Sequence, residues 1–575
     1  MEAFPAESGG YTPSIEEDPA LALSHREKME ILFAVMLGLF LGALDQTIVG
    51  PALPTIATAL QGNVLYVWAI TIYLLTSTIS VPFWGKLSDI YGRKPIFMIG
   101  IVIFLIGSAL SGLSQSMGML IAFRGLQGIG AGSLFPVALA VIGDLFTPKE
   151  RGKYQGLFGA VFGIAFIVGP LVGGFLTEQI SWHWIFYVNI PIGIVSLIVI
   201  QRLLPNVKTA RATRNFDILG GAIFTVAISF LLVGLTNKQF GAWTDTTVGG
   251  FILAGIVGIV LFIIAEARAK EPIIPLGLFR NRTYTSSMIS TFFASFAFFG
   301  AIIFLPRWFQ FVHGFSPTNS GLAALPLMVG LIFSSIVSGL IVARTGKYKW
   351  LLVGAIIVMA VATGLMTQLT ATTDLAVVWF WMFLAGLGVG PTFSVFTLVV
   401  QNAVPFSVLG VATSNLTFFR QIGGSVALAI VGTIFGSSFL EQIGPQMAKA
   451  GVPAQVVGGF GQATANGSLD FNKLTGVGNL GDAILAAIPA QAQAAIAPFI
   501  NQIVTGIHEA FSLAVAQTFW IGVGAAVLAA IAAVFMEERA LRTSNAPVTA
   551  GAPAGGPAAV PANPQGVSAS RAAND

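Results

Sequence analysis

Cysteine is absent from this chain of 575 residues, and charged side chains make up only 9% of it. Without cysteine the protein forms no disulfide and binds no metal through thiolates. Soluble domains carry about 25% charged residues, so this low fraction excludes an ordinary soluble protein. The sequence also lacks a GxxxxGK[ST] phosphate-binding loop, which argues against ATP hydrolysis within the chain.

Apolar residues make up 55% of the chain, in long runs that recur from end to end. A helix needs about 20 residues to cross a bilayer core of about 30 Å. A membrane barrel would show segments of about ten residues with alternating polarity, and this sequence does not. The sequence therefore predicts an all-α integral membrane protein. The net charge of +4 is better explained by membrane topology than by a nucleic-acid partner.

Fourteen transmembrane helices are predicted, with boundaries uncertain by about four residues. They lie near residues 31–58, 66–84, 96–116, 118–145, 154–177, 183–203, 216–236, 247–266, 283–311, 318–343, 350–370, 375–401, 409–438 and 509–536. Most of the 28 basic residues fall on the side shared by both termini, which the positive-inside rule makes cytoplasmic. We therefore expect a multi-pass membrane protein with both termini in the cytoplasm. The polar first 30 residues lack a signal-peptide pattern, so the first span is expected to direct insertion.

Two pairs of similar segments indicate an internal repeat. GKLSDIYGRK begins at Gly85 and GLIVARTGKY at Gly339, while GIGAGSLFPV begins at Gly128 and GLGVGPTFSV at Gly386. The two pairs have nearly the same separation, which predicts two homologous six-helix bundles with two inserted helices between them. Transporters of this build bind substrate between the halves. Glycines also recur in membrane helices because they allow close packing, but the loop match argues against that simpler explanation.

The predicted organisation has five parts. They are a cytoplasmic N-tail (1–30), an N-terminal bundle (31–204), the inserted helix pair with its linkers (205–282), a C-terminal bundle (283–540) with a long outer loop (441–505), and a disordered cytoplasmic tail (541–575). Within the outer loop, ILAAIPAQAQAAIAPFINQIV is a candidate for a helix on the membrane surface.

These segments resemble motifs of the major facilitator superfamily, and within it the fourteen-span drug:proton antiporter branch. GKLSDIYGRK is similar to the family's loop motif between spans 2 and 3, and RGLQGIGAG to its span 4 motif. LDQTIV, WHWIFYVNIPIG and FFRQIGGS fit the same branch. The residues that carry the first two matches are Gly85, Asp89, Gly92, Arg93 and Lys94, then Arg124, Gln127, Gly128, Gly130 and Gly132.

Span 5 resembles the family motif that is linked to antiporters. The matching residues are Gly156, Gly169, Pro170, Gly173 and Gly174. Glycine lets helices approach closely and proline interrupts the backbone hydrogen bonds, so packing alone explains this composition. A role as a barrier to proton leak is implied only by the resemblance.

Asp45 lies deep in the first span, where a carboxylate costs about 2.5–3.5 kcal/mol. Counting about 1.5 Å per residue places Asp45 and Arg124 at similar depths. We expect them to face each other, with Asp45 alternately holding a proton and releasing it to pair with Arg124 or a cationic substrate. The resemblance implies the same roles. A permanent structural ion pair is the alternative, although such pairs often add little stability.

Arg420 is the second basic residue expected near mid-membrane, in span 13. It is predicted either to bind an anionic group or to bond unwound carbonyls beside Gly423 and Gly424. No second carboxylate is clearly deep in the membrane, because Glu178 and Glu509 fall near outer ends while Asp144 and Glu266 fall near inner ones. The predicted site therefore suits neutral or singly charged cationic compounds.

Two further groups of residues complete the predicted site. Asp89, Arg93 and Asp144 are expected to lock the cytoplasmic helix ends together in one access state, as the resemblance implies, although ordinary topogenic charge is the alternative. Other side chains are candidates for lining a cavity for apolar or cationic guests, although packing or lipid contact is the simpler role for most phenylalanines. These candidates are Gln46, Gln127, Phe296, Phe299, Phe419 and Arg420.

The sequence thus favours a proton-coupled antiporter that exports small amphipathic or cationic compounds. The resemblance implies that it lies in the cell membrane and acts in multidrug efflux and antibiotic resistance. The alternatives are a dedicated exporter of an endogenous metabolite or lipid, a passive channel, and a membrane enzyme, for which a catalytic cluster is lacking. The expected partners are a small-molecule substrate, protons and the bilayer, for a monomer without cofactor, metal or nucleic acid. Three scattered histidines near the outer surface are weak candidates for a pH sensor.

Overall fold

The computed structural model describes residues 23–61, 65–205, 216–238, 241–465, 480–487, 493 and 496–542. Helices dominate these residues, and no strand occurs among them. Residues 1–22 of the predicted N-tail, and residues 543–575 of the tail predicted to be disordered, lie outside the described residues.

The first half of the described chain forms helices that follow the predicted spans closely. They are α1 (His25–Ala59), α2 (Tyr66–Tyr91), α3 (Arg93–Gly112), α4 (Met117–Leu145), α5 (Pro148–Gln179), α6 (Trp184–Tyr187), α7 (Asn189–Leu203), α8 (Ile218–Asn237), and α9 (Phe251–Arg268) after a π-helical turn (Thr246–Gly250). Helix α1 begins six residues before the predicted span because Ser24 caps it: the Glu27 amide donates to Ser24 Oγ, and Glu27 Oε2 accepts from the Ser24 amide.

The second half begins after a 3₁₀ turn (Leu276–Arg280). Its helices are α10 (Arg282–His313), α11 (Pro317–Ala323), α12 (Leu325–Thr345), α13 (Lys349–Met366), α14 (Leu375–Ala403), α15 (Leu409–Lys449), α16 (Ala454–Ala465), α17 (Leu480–Ala487) and α18 (Ile500–Val534), with further 3₁₀ turns at Phe406–Val408 and Ala497–Phe499.

Thirteen helical segments in the described residues are long and apolar enough to cross a membrane. Fourteen spans were predicted, and the second of them corresponds to helix α2, which has 26 residues but is not among these thirteen. Helix α15 has 41 residues, about 60 Å at 1.5 Å per residue, which exceeds the bilayer thickness. It therefore continues into the predicted outer loop, and α18 likewise begins within it at Ile500. The predicted surface helix is divided between α17, α18 and residues outside the described part.

Two large apolar cores divide the helices into two bundles. The first core joins helices between α1 and α7, with Phe97, Phe158 and Ile200 among its buried members. The second joins helices between α10 and α18, with Trp308 and Phe511 among its members. Burial of apolar side chains stabilises each bundle by itself. Polar groups can therefore lie on the surface between the bundles.

The internal repeat has a structural counterpart in the paired G-x-G-x-G segments. In α4, the outer glycines Gly128 and Gly132 lie against α2, and the middle one, Gly130, lies against α3. In α14, Gly386 and Gly390 lie in the same way against α12, and Gly388 lies against α13. A Cβ atom at any of these positions would overlap a neighbouring helix. The glycines therefore set the same three-helix packing in both bundles.

The inserted pair α8 and α9 packs along the seam between the bundles. Phe224 of α8 has its ring centroid 5.9 Å from that of Phe83 in α2 and 5.3 Å from that of Phe418 in α15. One apolar cluster accordingly contains side chains from α2, α8, α9 and α15. Near it, Lys86 of α2 lies 3.3 Å from Glu271, which follows α9. The pair thus contacts both bundles rather than extending either one.

Candidate functional site

Asp45 and Arg124 form an ion pair inside the N-terminal bundle. Arg124 Nη1 lies 2.6 Å from Asp45 Oδ2, and the side chains are 2% and 0% exposed. Helix α1 supplies the carboxylate and α4 the guanidinium. A charge-assisted hydrogen bond of this length is strong where water is excluded. The two groups that the depth estimate placed at similar levels are therefore in direct contact.

The second carboxylate oxygen of Asp45 is held by two amides. Gln127 Nε2 donates to Asp45 Oδ1 at 2.8 Å, and Asn189 Nδ2 donates to the same oxygen at 2.9 Å. Gln127 also accepts from Arg124 Nη1 at 2.8 Å, so Asp45, Arg124 and Gln127 close a ring of hydrogen bonds. Such a network fixes the orientation of the carboxylate and lowers the cost of its charge in the interior.

Asn189 was not singled out as a site residue from the sequence. It is the first residue of α7, just after the break that separates α6 from α7 at Val188. Besides Asp45, its amide donates to Ser108 Oγ at 3.1 Å, and Ser108 donates to the Phe186 carbonyl at 2.8 Å. The available signal was a polar amide within the apolar segment WHWIFYVNIPIG.

Aromatic rings surround the Arg124 guanidinium. Its Cζ atom lies 4.1 Å from the centroid of the Tyr73 ring and 5.9 Å from that of Phe186, and Nε donates to the Ala69 carbonyl at 3.3 Å. These contacts are independent of the carboxylate. Arg124 therefore has favourable partners besides the Asp45 carboxylate.

A second buried ion network lies at the basic end, where α2 meets α3 at Gly92 and α4 meets α5 at Thr147. This end is the one predicted to be cytoplasmic. Arg93 Nη1 lies 2.5 Å from Asp89 Oδ1, and Arg93 Nε lies 2.9 Å from Asp144 Oδ2. All three side chains are buried. Arg93 thereby joins α2 to α4 from the start of α3.

Asp89 also binds the N-terminus of α15 in the other bundle. Its carboxylate accepts from the backbone amides of Gly410 at 3.0 Å and Val411 at 2.9 Å. Unpaired amides and the helix dipole make a helix N-terminus favourable for a negative charge. Gly410 was not predicted from the sequence, since its role depends only on this tertiary contact.

The remaining predicted gating residues shape the same region. Gly92 has φ of 98°, a left-handed conformation that favours glycine and allows α2 to reverse directly into α3. Gly346, its counterpart in the repeat, has φ of 69°. Lys94 donates to the Gln201 carbonyl at 2.6 Å, within its own bundle.

Gln155 and Gln401 join the bundles near the same end. Gln155 Nε2 of α5 donates to Gln401 Oε1 of α14 at 2.7 Å, and Gln401 donates to the Leu139 carbonyl of α4 at 3.0 Å. Arg151 donates to the carbonyls of Gly143, near the end of α4, and of Phe146, just after it. Together with Asp89, these amides tie the bundles together at the basic end.

The span 5 motif packs α5 against helices of both bundles. Gly156 lies against Ser335 and Ile336 of α12, while Gly169 and Gly173 lie against Thr47 and Ile48 of α1. Gly174 faces Thr318 of α11, and Pro170 faces Gly321. Thr47 Oγ1 donates to the Ala165 carbonyl at 2.9 Å, which fixes α1, and with it Asp45, against α5.

The predicted cavity residues lie in several environments. Gln127 belongs to the Asp45 network. Gln46, which follows Asp45 in the sequence, is partly buried. Phe296 packs with Ala427 and Ala525 inside the C-terminal bundle, Phe299 against Gly424, and Phe419 against Phe279. Arg420 lines a small cavity together with Phe298, which belongs to the aromatic stretch TFFASFAFFGAIIFLP that is also predicted to line a cavity.

The structure corrects one alternative for Arg420. Helix α15 runs unbroken from Leu409 to Lys449, so there is no unwound backbone beside Gly423 and Gly424 for the guanidinium to bond. Those glycines instead admit Phe292 and Phe299 of α10. Arg420 Nη2 donates to the Thr392 carbonyl of α14 at 3.2 Å.

Among the described residues, no group of three or more His, Asp or Glu could hold a metal ion. His183 lies between α5 and α6, where burial lowers its pKa and favours the neutral ring at pH 7. His313 is the last residue of α10, and His508 lies within α18, both in the other bundle. The arrangement gives the histidines no shared ligand set.

Comparisons with known proteins agree with this architecture. Residues 35–428 match the profile described as Major Facilitator Superfamily. The "Multidrug transporter protein MdtP" of Bacillus subtilis (strain 168) is 41% identical over 409 residues, which are 71% of this chain and 75% of that protein. The "Multidrug resistance protein 3" of the same organism is 32% identical over 519 residues, 89% of this chain and 96% of that protein.

A solved structure has the same fold at low sequence identity. It is that of the "proton:xylose symporter XylE bound to 6-bromo-6-deoxy-D-glucose", with a TM-score of 0.58 at 13% identity, covering 91% of this chain and 98% of that chain. The profile match, the two relatives and the paired helical bundles lead to one conclusion. This multi-pass membrane protein belongs to the major facilitator superfamily of transporters.

Proposed function

We propose that the protein is a proton-coupled antiporter that exports small amphipathic or cationic compounds across the cell membrane. The observation that carries the proposal is the completely buried Asp45 carboxylate, 2.6 Å from Arg124 and oriented by Gln127 and Asn189. The similarity to two proteins named for multidrug transport and resistance supports the substrate class.

Competition for one carboxylate supplies the coupling. A buried carboxylate without a partner is costly, so Asp45 requires Arg124, a proton or a cationic group of the substrate. Proton binding removes the negative charge and releases a cation, while a bound cation displaces the proton. Binding of a proton and a cation to Asp45 at the same time is unfavourable. Proton entry and substrate exit therefore alternate, as antiport requires.

The network at the basic end supplies the gate in this proposal. In the described conformation Asp89 holds α15 through two amides, and Gln155 bonds Gln401, so the basic end is closed. Substrate entry from the cytoplasm requires these contacts to break. The carboxylate of Asp89 then loses its two amide donors and keeps Arg93, which lowers the cost of opening.

The proton gradient supplies enough energy for export. Moving one charge through 100 mV yields about 2.3 kcal/mol. A difference of one pH unit adds about 1.4 kcal/mol. Together these permit accumulation of a neutral compound by several hundredfold per proton, since about 1.4 kcal/mol corresponds to a factor of ten.

Proteoliposomes that hold a pH gradient test the proposal. Adding a transported cationic dye should dissipate the gradient with the wild-type protein, and Asp45→Asn should abolish this effect because the amide binds no proton. Glu178→Gln, which changes an exposed carboxylate near the end of α5, is the matched control and should retain coupling. Gradient-driven transport by Asp45→Asn would refute the proposal, and uptake without proton movement would indicate a passive channel.

A further inference from the structure

Arg420 is a partly buried guanidinium with few partners. Its Cζ atom lies 4.2 Å from the centroid of the Phe393 ring, and Nη2 donates to the Thr392 carbonyl at 3.2 Å. No ion pair to Arg420 occurs in the part of the chain that the structure describes. This arrangement leaves a positive charge in the C-terminal bundle without a negative counterpart.

Arg420 has fewer hydrogen-bond partners than Arg124. Arg124 bonds a carboxylate, an amide and a backbone carbonyl, whereas Arg420 makes a single hydrogen bond to a carbonyl. A guanidinium has five N–H donors, and buried donors without acceptors are costly. Arg420 therefore has donors available for an acceptor that the described residues do not supply.

A small cavity lies at this guanidinium. Its walls come from three helices of the C-terminal bundle, and the lining residues are Thr291, Ala294, Ser295, Phe298, Thr392, Phe393 and Arg420. Thr291 is 1% exposed, and its Oγ1 has no hydrogen-bond partner. The cavity thus combines unused guanidinium donors with a buried, unpartnered hydroxyl, and both can donate to the same anion.

The internal repeat places Arg420 at the interface between the bundles. Arg420 and Phe162 occupy equivalent positions in the repeat, because each lies equally far after the paired glycines Gly410 and Gly152. Phe393 and Phe135 are likewise equivalent in the paired G-x-G-x-G segments. In the first bundle Phe135 and Phe162 stack with centroids 4.8 Å apart. In the second bundle the guanidinium of Arg420 lies on the Phe393 ring, in the place that the Phe162 ring takes on Phe135.

The two halves meet at these residues. Phe162 of α5 contacts Phe393 of α14 edge to face, with centroids 5.4 Å apart. Transporters of this build bind substrate between their repeats. Arg420 therefore lies where substrate is expected to bind. Because its counterpart in the first bundle is the apolar Phe162, the two halves of the site differ chemically.

We propose that Arg420 and Thr291 form a subsite for the carboxylate of an amphipathic substrate, including zwitterions. A carboxylate accepts two parallel hydrogen bonds from a guanidinium and a third from the hydroxyl. In the described conformation the cavity measures about 10 Å³, room for about one water molecule. The carboxylate enters when Phe162 and Phe393 separate as the bundles move apart.

This subsite extends the proposed export of cationic compounds to compounds that also carry a negative group. It depends on the protein being a transporter but not on proton coupling. An equilibrium binding experiment without any gradient therefore separates the two proposals, because Asp45 is not required for the carboxylate preference.

Two dyes that differ in one group provide the test. Rhodamine 110 carries a free carboxylate, and rhodamine 123 is its methyl ester. Binding to the purified full chain in nanodiscs at pH 7.5 is measured by fluorescence anisotropy. Arg420→Gln should weaken binding of rhodamine 110 about 10-fold or more, as expected for a hydrogen bond to a charged group, and that of rhodamine 123 less than about 2-fold.

Two further variants guard against loss of folding. Thr291→Val keeps the shape of the side chain and should weaken rhodamine 110 alone by about 5-fold. Arg420→Lys keeps the charge but not the planar fork, so it should restore part of the affinity that Arg420→Gln loses. The assignment is overturned if wild-type protein fails to bind rhodamine 110, if both dyes weaken equally in Arg420→Gln, or if neither weakens.

Discussion

Gly85 and Gly339 occupy equivalent positions in the two repeats, and each packs against a glycine of the opposite bundle. A Cβ atom on Gly85 would lie 2.8 Å from the Gly410 carbonyl oxygen, and Gly339 lies in the same way against the Gly152 carbonyl. The two contacts are related by the repeat. Backbone therefore lies close to backbone on both sides of the interface at the basic end, and the Ser414 side chain also lies against Gly85.

Gly85→Ala should destabilise the closed basic end. The added methyl group overlaps Ser414 and the backbone of Gly410, which cannot move without shifting α15. We expect α2 and α15 to separate, so that the protein spends more time open at this end and transports more slowly. Cysteine labelling at Ser414→Cys, introduced in the naturally cysteine-free chain, measures the opening.

Gly354→Ala is the matched control for the Gly85 variant. Gly354 lies inside α13, and a Cβ there meets no atom within 4 Å. Alanine should stabilise the helix by about 0.5–1 kcal/mol and leave transport unchanged. If Gly85→Ala and Gly354→Ala behave alike, the close contact of the bundles is unimportant for closing.

Asn189→Leu should slow gradient-driven export. Asn189 donates to Oδ1 of the Asp45 carboxylate, so leucine removes one of the donors that hold this side chain in place. One lost hydrogen bond to a charged group costs about 1.5–3 kcal/mol, so we expect the export rate to fall about 10-fold or more. The measurement is the initial rate of dye export in proteoliposomes that hold a pH gradient.

Ser108→Ala is the control for Asn189. It removes one partner of the Asn189 amide but leaves the bond to Asp45 in place, so it should slow export less. An unchanged export rate in Asn189→Leu, with normal protein folding, would show that this amide is not needed at the Asp45 site.

Asp89→Asn should slow turnover more than it weakens substrate binding. The amide keeps one acceptor oxygen for the α15 N-terminus, and the charge that favours the helix dipole and pairs with Arg93 is lost. We expect kcat to fall about 10-fold with KM changed by less than about 2-fold. Glu30→Gln, at the exposed pair with Arg26, should change neither. Equal losses in kcat and affinity would argue against a gate.

A covalent link between Gln155 and Gln401 should stop transport. Their side chains bond at 2.7 Å across the bundles, so cysteines at both positions lie within reach of a short bis-methanethiosulfonate reagent. Because the chain has no cysteine of its own, the reagent reacts only at the introduced pair. Transport should return after reduction, and each single-cysteine variant should remain active. Full activity of the linked protein would mean that the basic end does not open during transport.

The sequence alone was sufficient for the fold and the family. Low charge, long apolar runs and the paired glycine segments predicted an all-α membrane protein with two related bundles and an inserted pair, and the fold and family are confirmed. These features are readable because a bilayer imposes the length and polarity of each span independently of its neighbours. Asp45 and Arg124 stood out for the same reason, since charge inside a span is rare and costly.

Only the tertiary structure decided which neutral groups complete the sites. Asn189 of α7 donates to Asp45 of α1, Gly410 offers its backbone amide to Asp89 of the other bundle, and Thr291 of α10 lines the same cavity as Arg420. An amide, a glycine or a threonine costs little within a span, so the sequence does not mark such a residue as part of a site. Its role depends on its distance and direction from a charged residue elsewhere in the chain. Only the packing of the helices sets that geometry.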